Sequence, residues 1–68
     1  MHVILHTTNC PKCRVLEQKL NMKNIAFEKN TDIDIELLKS KGFMSAPVLQ
    51  VGDKFMDFVS ANNWILEQ

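Results

Sequence analysis

The sequence predicts a small α/β domain: a four-stranded mixed sheet with about three helices on its faces, in the order β-α-β-α-β-β-α. Three observations predict it. An apolar run, Val3-Ile4-Leu5, leads through a polar turn into Cys10-Pro11-Lys12-Cys13 and a helix-like run from Arg14 to Lys23. A second strand-like run follows, and the order strand, helix, strand implies parallel pairing with a right-handed crossover. Further on, Gly52-Asp53 separates two more strand-like runs, and so tight a turn closes only an antiparallel hairpin.

Each element has its own signal. His2 to His6 reads as a strand, short and apolar, with β-branched Val3 and Ile4. Thr7-Thr8-Asn9 is a polar turn. Pro11 fits a first helical turn, where its missing N–H is no loss. Cys13, Leu16 and Leu20 follow i, i+3, i+7 spacing and share one helix face, with Val15 beside it. Ile25-Ala26-Phe27-Glu28-Lys29 reads as the second strand. Asp32 or Asp34 caps a second helix over Ile35 to Lys41, and Gly42 stops it. Pro47 to Val51 and Lys54 to Asp57 read as the third and fourth strands. Ser60 caps a last helix, Ala61 to Glu67, with Trp64 and Ile65 as packing residues.

Composition narrows the class. The chain has 68 residues, enough for one small domain spanning 1–68, and its 46% hydrophobic content suits a compact core rather than disorder. A chain of this size buries only about 60% of its unfolded surface, so its stability is marginal. Eight basic and eight acidic residues balance to a net charge of zero, which argues against a nucleic-acid or membrane-surface protein. No apolar run approaches the ~20 residues of a membrane span. Met1-His2-Val3 does not open a secretory signal. The expectation is a cytoplasmic monomer, and in that compartment a cysteine pair is more often catalytic or metal-binding than a stable crosslink.

The two cysteines are therefore the candidate chemistry. Residues three apart across a helix start can bring their sulfurs together, so one thiol can attack a substrate disulfide and the other release it. Cys10 falls at or next to the N-cap, where free N–H groups and the helix dipole favour the thiolate and lower its pKa. Cys13 shares a face with Leu16 and Leu20 and should be buried. Cys10 is then the attacker and Cys13 the resolver. Lys12 and Arg14 oppose the dipole in the first turn. They either stabilise the Cys10 thiolate or hold an anionic thiol substrate, or they are solvated surface charges. The other reading of the pair is an inert couple or half a zinc site. Zinc takes four ligands, and the nearby imidazoles, His2 and His6, alternate along one strand while Cys13 turns into the helix. Pro47 reads either as punctuation at the head of a strand or as a cis proline after Ala46.

These residues resemble the glutaredoxin family of the thioredoxin superfamily. The likeness covers nearly the whole chain in element order and length. It is carried by Cys10-Pro11-Lys12-Cys13 after Val3-Ile4-Leu5-His6-Thr7, by Gly42-Phe43-Met44-Ser45-Ala46-Pro47-Val48, and by Gly52-Asp53. The resemblance implies a thioredoxin-like fold and a thiol-disulfide oxidoreductase with Cys10 as nucleophile and Cys13 as resolving thiol. It implies that Ala46-Pro47 is a cis-proline loop against the active site, with the Ala46 backbone pairing to an incoming peptide or glutathione. Lys12 and Ser60 would partly compensate, as substrate- or glutathione-binding residues, where the sequence departs from the family's glutathione site. No bound cofactor is implied. Electrons would come from glutathione or from a flavoprotein such as thioredoxin reductase, and protein disulfides, including that of ribonucleotide reductase, would be the partners. The sequence departs from the family in three places. Thr7-Thr8-Asn9 lacks the basic residue often found before the first cysteine. Asp57-Phe58-Val59-Ser60 lacks the paired glycine of glutathione users. The Trp-Ser-Gly-Phe segment of the thioredoxin-reductase-dependent branch does not appear.

Two alternatives stand beside this reading: an iron–sulfur or metal carrier using Cys10 with an outside thiol, and a redox-inactive binding module. Phe43, Met44, Phe55, Met56 and Phe58 either rim a docking surface or belong to the core. No phosphate loop, nucleotide fingerprint or catalytic His/Asp constellation is present.

Overall fold

The computed structural model describes residues 2–43 and 46–68. Its elements are β1 (Val3–His6), α1 (Pro11–Met22), β2 (Glu28–Asn30), α2 (Ile35–Ser40), β3 (Val48–Val51), β4 (Lys54–Met56) and α3 (Phe58–Leu66). The strands form one sheet in the order β2-β1-β3-β4. β1 runs parallel to β2, with Ile4, Leu5 and His6 opposite Glu28, Lys29 and Asn30. It runs antiparallel to β3, and β3 pairs antiparallel with β4. The architecture is thus α/β with a four-stranded mixed sheet and three helices, in the expected order.

Strand alternation decides where the core lies. Val3 and Leu5 of β1, Leu49 and Val51 of β3 and Met56 of β4 pack with Leu16 and Leu20 of α1 and Ala61 and Ile65 of α3 in one cluster. The leucines at 5, 16, 20 and 49 and Ile65 are fully buried. Each such side chain contributes about 1.5–3 kcal/mol relative to an exposed position. Ile25, Phe27, Phe58 and Trp64 pack against the margin of this cluster.

The second strand and the last helix start well away from the sequence expectation, each for a local reason, while other ends shift by about one residue. The second strand was expected from Ile25, but the ladder begins at Glu28. The chain is still finishing α1 at Ile25, whose N–H donates to the Leu20 carbonyl at 3.0 Å after Asn24 turns at φ 58°. Ile25 and Phe27 are apolar because they cover the core edge, not because they pair. The last helix starts three residues before Ala61. Asp57 is its N-cap and accepts the N–H of Ser60 at 2.8 Å, so Ser60 sits inside the first turn and does not cap it. The fourth strand accordingly ends at Met56.

Of the two aspartates offered for α2, Asp34 is the cap and accepts the Leu37 N–H at 3.1 Å. Gly42 ends that turn at φ +90°, a conformation that favours glycine, with its N–H on the Lys39 carbonyl. Leu38 is the buried residue of α2. No helix among the described residues is long and apolar enough to cross a membrane.

Candidate active site

The segment between β1 and α1 is held by side chains on both of its flanks. The Thr7 N–H donates to the Asn30 carbonyl at 2.9 Å, tying the end of β1 to β2. Thr7 Oγ1 accepts the Asn9 N–H at 3.0 Å, and Asn9 adopts φ 62°, a left-handed conformation that asparagine tolerates. The next residue, Cys10, is the N-cap of α1 in extended conformation, and Pro11 opens the helix.

This position separates the cysteines. Cys10 is half-buried, whereas Cys13 is 1% exposed on the core face of α1. The Cys10 sulfur accepts the N–H of Cys13 at 3.1 Å, in the place a serine or aspartate oxygen takes at an ordinary N-cap. Their Cα atoms lie 5.0 Å apart, within disulfide range, and the two sulfurs are joined. There is no acidic residue in the first turn of α1, so no carboxylate on the helix offsets its positive end beside Cys10.

A groove with a cavity volume of about 340 Å³ has Lys12 of α1 among its lining residues. Ala46 and Pro47, joined by a cis peptide, form a second part of its wall. Asp57, Phe58 and Val59 at the start of α3 form a third, with Phe43 closing one end. Lys12 Nζ stands 5.6 Å from the centroid of the Phe58 ring, a cation–π contact. The Asp57 carboxyl is held below its ordinary pKa by the Ser60 N–H, then by the Ser60 hydroxyl. The groove therefore carries a carboxylate on its α3 wall and a lysine on its α1 wall. Four of the residues singled out in the sequence, Cys10, Lys12, Ala46 and Pro47, gather at this end of the sheet. Ser60 does not line this groove; it lies over a separate depression with Trp64 and Glu67.

The sequence did not disclose the environment of His6. It is buried on the sheet face away from α1, with its ring stacked on Phe55 at 6.0 Å. Gln50 donates to the Gly52 carbonyl through its amide nitrogen, which leaves Oε1, 3.0 Å from His6 Nε2, as an acceptor. Asn30 accepts the Asp32 N–H through its oxygen, which leaves its amide nitrogen to donate to His6 Nδ1 at 3.0 Å. The two amides fix one tautomer, with the proton on Nε2. His6 is thus a cross-brace over β2, β1 and β3 directly below Thr7. The alternation of His6 with Leu5 signalled its face; its partners, 24 and 44 residues away, carried no local signal.

The expected apolar rim divides. Met56 belongs to the core, Phe58 packs at its margin, and Phe43 leans on Phe55. Met44 lies outside the described residues. Among the described residues no group of three or more His, Cys, Asp or Glu side chains comes together as a metal site. Neither a protein-family model nor a curated protein sequence matches the chain.

Proposed function

We propose that this chain is a dithiol-disulfide oxidoreductase of thioredoxin-like fold, similar to glutaredoxins, that reduces protein disulfides or glutathione mixed disulfides. The observation that carries the proposal is the asymmetry of the pair: an N-capping, half-exposed Cys10 receiving a backbone N–H, and a buried Cys13 within bonding reach.

In the reduced state the groups that face the Cys10 sulfur favour its thiolate. The Cys13 N–H donates to it, and the helix dipole adds partial positive charge. The Cys10 thiolate attacks one sulfur of a substrate disulfide, forms a mixed disulfide and expels the other sulfur as a thiolate. Cys13 loses its proton to that leaving thiolate or to water and attacks the Cys10 sulfur. The Cys10–Cys13 disulfide forms and the second substrate thiolate departs. Two electrons pass from the cysteine pair to the substrate. Glutathione or a flavoprotein reductase such as thioredoxin reductase returns them. Ala46, Pro47 and Lys12 present the substrate to Cys10. Ribonucleotide reductase belongs to the class of protein disulfide this chemistry serves, and the cytoplasm is the compartment that suits it.

The test is disulfide reduction by Cys10→Ser and Cys13→Ser variants. Cys10→Ser should lose all activity, and activity retained there rejects the proposal. Cys13→Ser should trap a protein disulfide substrate as a stable mixed disulfide, while still turning over glutathione mixed disulfides. Supplying the oxidised protein with glutathione, or with thioredoxin reductase and NADPH, identifies the electron donor.

A further inference from the structure

The helical face of the molecule carries a pattern that the redox chemistry does not use. Lys12, Lys19 and Lys23 fall at i, i+7 and i+11, on one side of α1 and its C-cap. Each reaches α3 or the chain just beyond it: Lys12 the Phe58 ring, Lys19 the Asn62 side chain, and Lys23 the Gln68 main-chain oxygen. These contacts run in chain order on both helices, so α1 and α3 lie side by side in one direction with a row of lysines along their seam. Exposed apolar residues flank the row at seven-residue spacing, Val15 and Met22 on α1 and Val59 and Leu66 on α3. Met22 is 82% exposed.

Among the described residues no side-chain carboxylate pairs with these three lysines at ion-pair distance. The one acid of α1, Glu17, pairs with Lys29 at 3.4 Å, and α3 contains no charged residue. Asp57 and Glu67 flank α3 only at its ends, and Asp57 is engaged as the cap. Of the other acids, Glu28, Asp32, Asp34 and Glu36 lie along β2 and α2 among Lys29, Lys39 and Lys41, and Asp53 lies in the β3–β4 turn. The seam is thus a local excess of positive charge in a neutral chain. The seam also has depressions to receive side chains. Near its far end, Met22, Ile65 and Leu66 line one of about 200 Å³ between Lys19 and Lys23. At its near end Phe58 and Val59 open into the groove beside Lys12.

We propose that this seam is a docking track for an acidic amphipathic helix of a partner protein. The helix lies along α1 and α3, its apolar face on Val15, Met22, Val59 and Leu66 and its carboxylates on Lys19 and Lys23. A groove between two aligned helices presents anchors at the i, i+3, i+4, i+7 spacing such a ligand offers. An anionic lipid surface fits less well, because polybasic lipid-binding segments use about four to eight clustered cations and this seam has three. From Lys12 to Lys23 the track is about 16 Å long at the rise of an α-helix. A helix seated on it ends beside Cys10. That the docked helix belongs to the redox partner rests on the function proposed above; the docking itself does not.

The test is an NMR titration of the oxidised protein with a synthetic Leu/Glu amphipathic peptide of about 18 residues, long enough to be helical. A counterpart with Lys for every Glu is the control. The acidic peptide should shift amides in residues 15–23 and 59–66, bind more weakly as salt rises, and lose about tenfold in affinity in Lys19→Glu/Lys23→Glu. Met22→Asp, whose side chain is exposed, should weaken binding without disturbing the fold. Equal binding of the basic peptide, shifts elsewhere or none, or indifference to charge reversal overturns the proposal. So does binding to phosphatidylserine vesicles with no response to the peptide, or self-association through the same residues. Reduction of a small disulfide such as bis(2-hydroxyethyl) disulfide should be unchanged in the charge-reversed variant. Loss of the redox reading would appear in the Cys10→Ser assay and leave the titration standing.

Discussion

Cys10 and Cys13 are one helical turn apart, yet they meet different surroundings, and the difference comes from one residue of helix geometry. The N-cap lies outside the helix, where its side chain can face free N–H groups; the residue three further on already points into the core. Alkylation of the reduced protein should therefore modify Cys10 well before Cys13, and peptide mapping by mass spectrometry checks the order. Equal rates at the two positions would contradict the assigned roles. Asp57 makes the same kind of contact with an oxygen. Its folded pKa lies below the unfolded value of ~3.9, so its carboxylate stabilises the fold above that pH and loses its effect as pH falls through the folded value. Asp57→Ala should lower Tm near neutrality, Asp57→Asn less, since asparagine also caps. The gap between wild type and Asp57→Ala should close in melts below about pH 4, the region of that unfolded pKa. His6 is bound at both ring nitrogens. His6→Leu strands the Asn30 amide and the Gln50 carbonyl oxygen and should cost about 1–3 kcal/mol in urea unfolding.

At the scale of elements, the helices differ in what they contribute. α1 and α3 supply the large apolar side chains over the sheet, whereas α2 buries Leu38 and is otherwise set by its Asp34 cap and Gly42 stop. Leu20→Ala removes a fully buried side chain and should cost about 2–5 kcal/mol. Two positions along, Met22→Ala should change stability by no more than about 0.5 kcal/mol. Denaturant titration of the pair separates the core face of α1 from its seam face. A small domain often has only about 3–5 kcal/mol in total, so Leu20→Ala should be largely unfolded at 37 °C. Capping also shows how far local pattern carries. Asp34 and Ser60 are both good cap formers in isolation, but only Asp34 caps. Asp57 follows β4 directly and takes the Ser60 N–H first, which places Ser60 inside the helix.

Taken as a whole molecule, the sheet is organised about β1 and β3, the two central strands, with β2 and β4 at its edges. Hydrogen exchange should be slowest at Leu5 and Leu49, which pair across that centre and are fully buried. It should be fastest in α2, through the smallest buried contribution. Slow exchange in α2 matching that of β1 would show that the chain opens only globally. The groove beside Lys12 spans three separate stretches of chain, from α1, the Ala46-Pro47 loop and the start of α3, so it exists only while the sheet is assembled. The lysine seam likewise needs both helices in place.

The order of elements, the mixed sheet, the split between a more accessible and a buried cysteine and the Gly52-Asp53 hairpin were all legible in the sequence, because each depends on spacing within a few residues. Helical periodicity, a proline at a helix start and a glycine in a tight turn act locally, and they hold wherever the chain folds. What only the tertiary structure decided involves residues far apart in sequence. It placed the start of the second strand at Glu28, since Ile25 and Phe27 owe their apolarity to packing rather than pairing. It joined His6 to Asn30 and Gln50 across three strands. It set Asp57 rather than Ser60 in the lining of the groove that Lys12 shares. It aligned three lysines of one helix against an uncharged partner helix. These arrangements rest on strand register and helix packing, and distance along the chain carries no record of either.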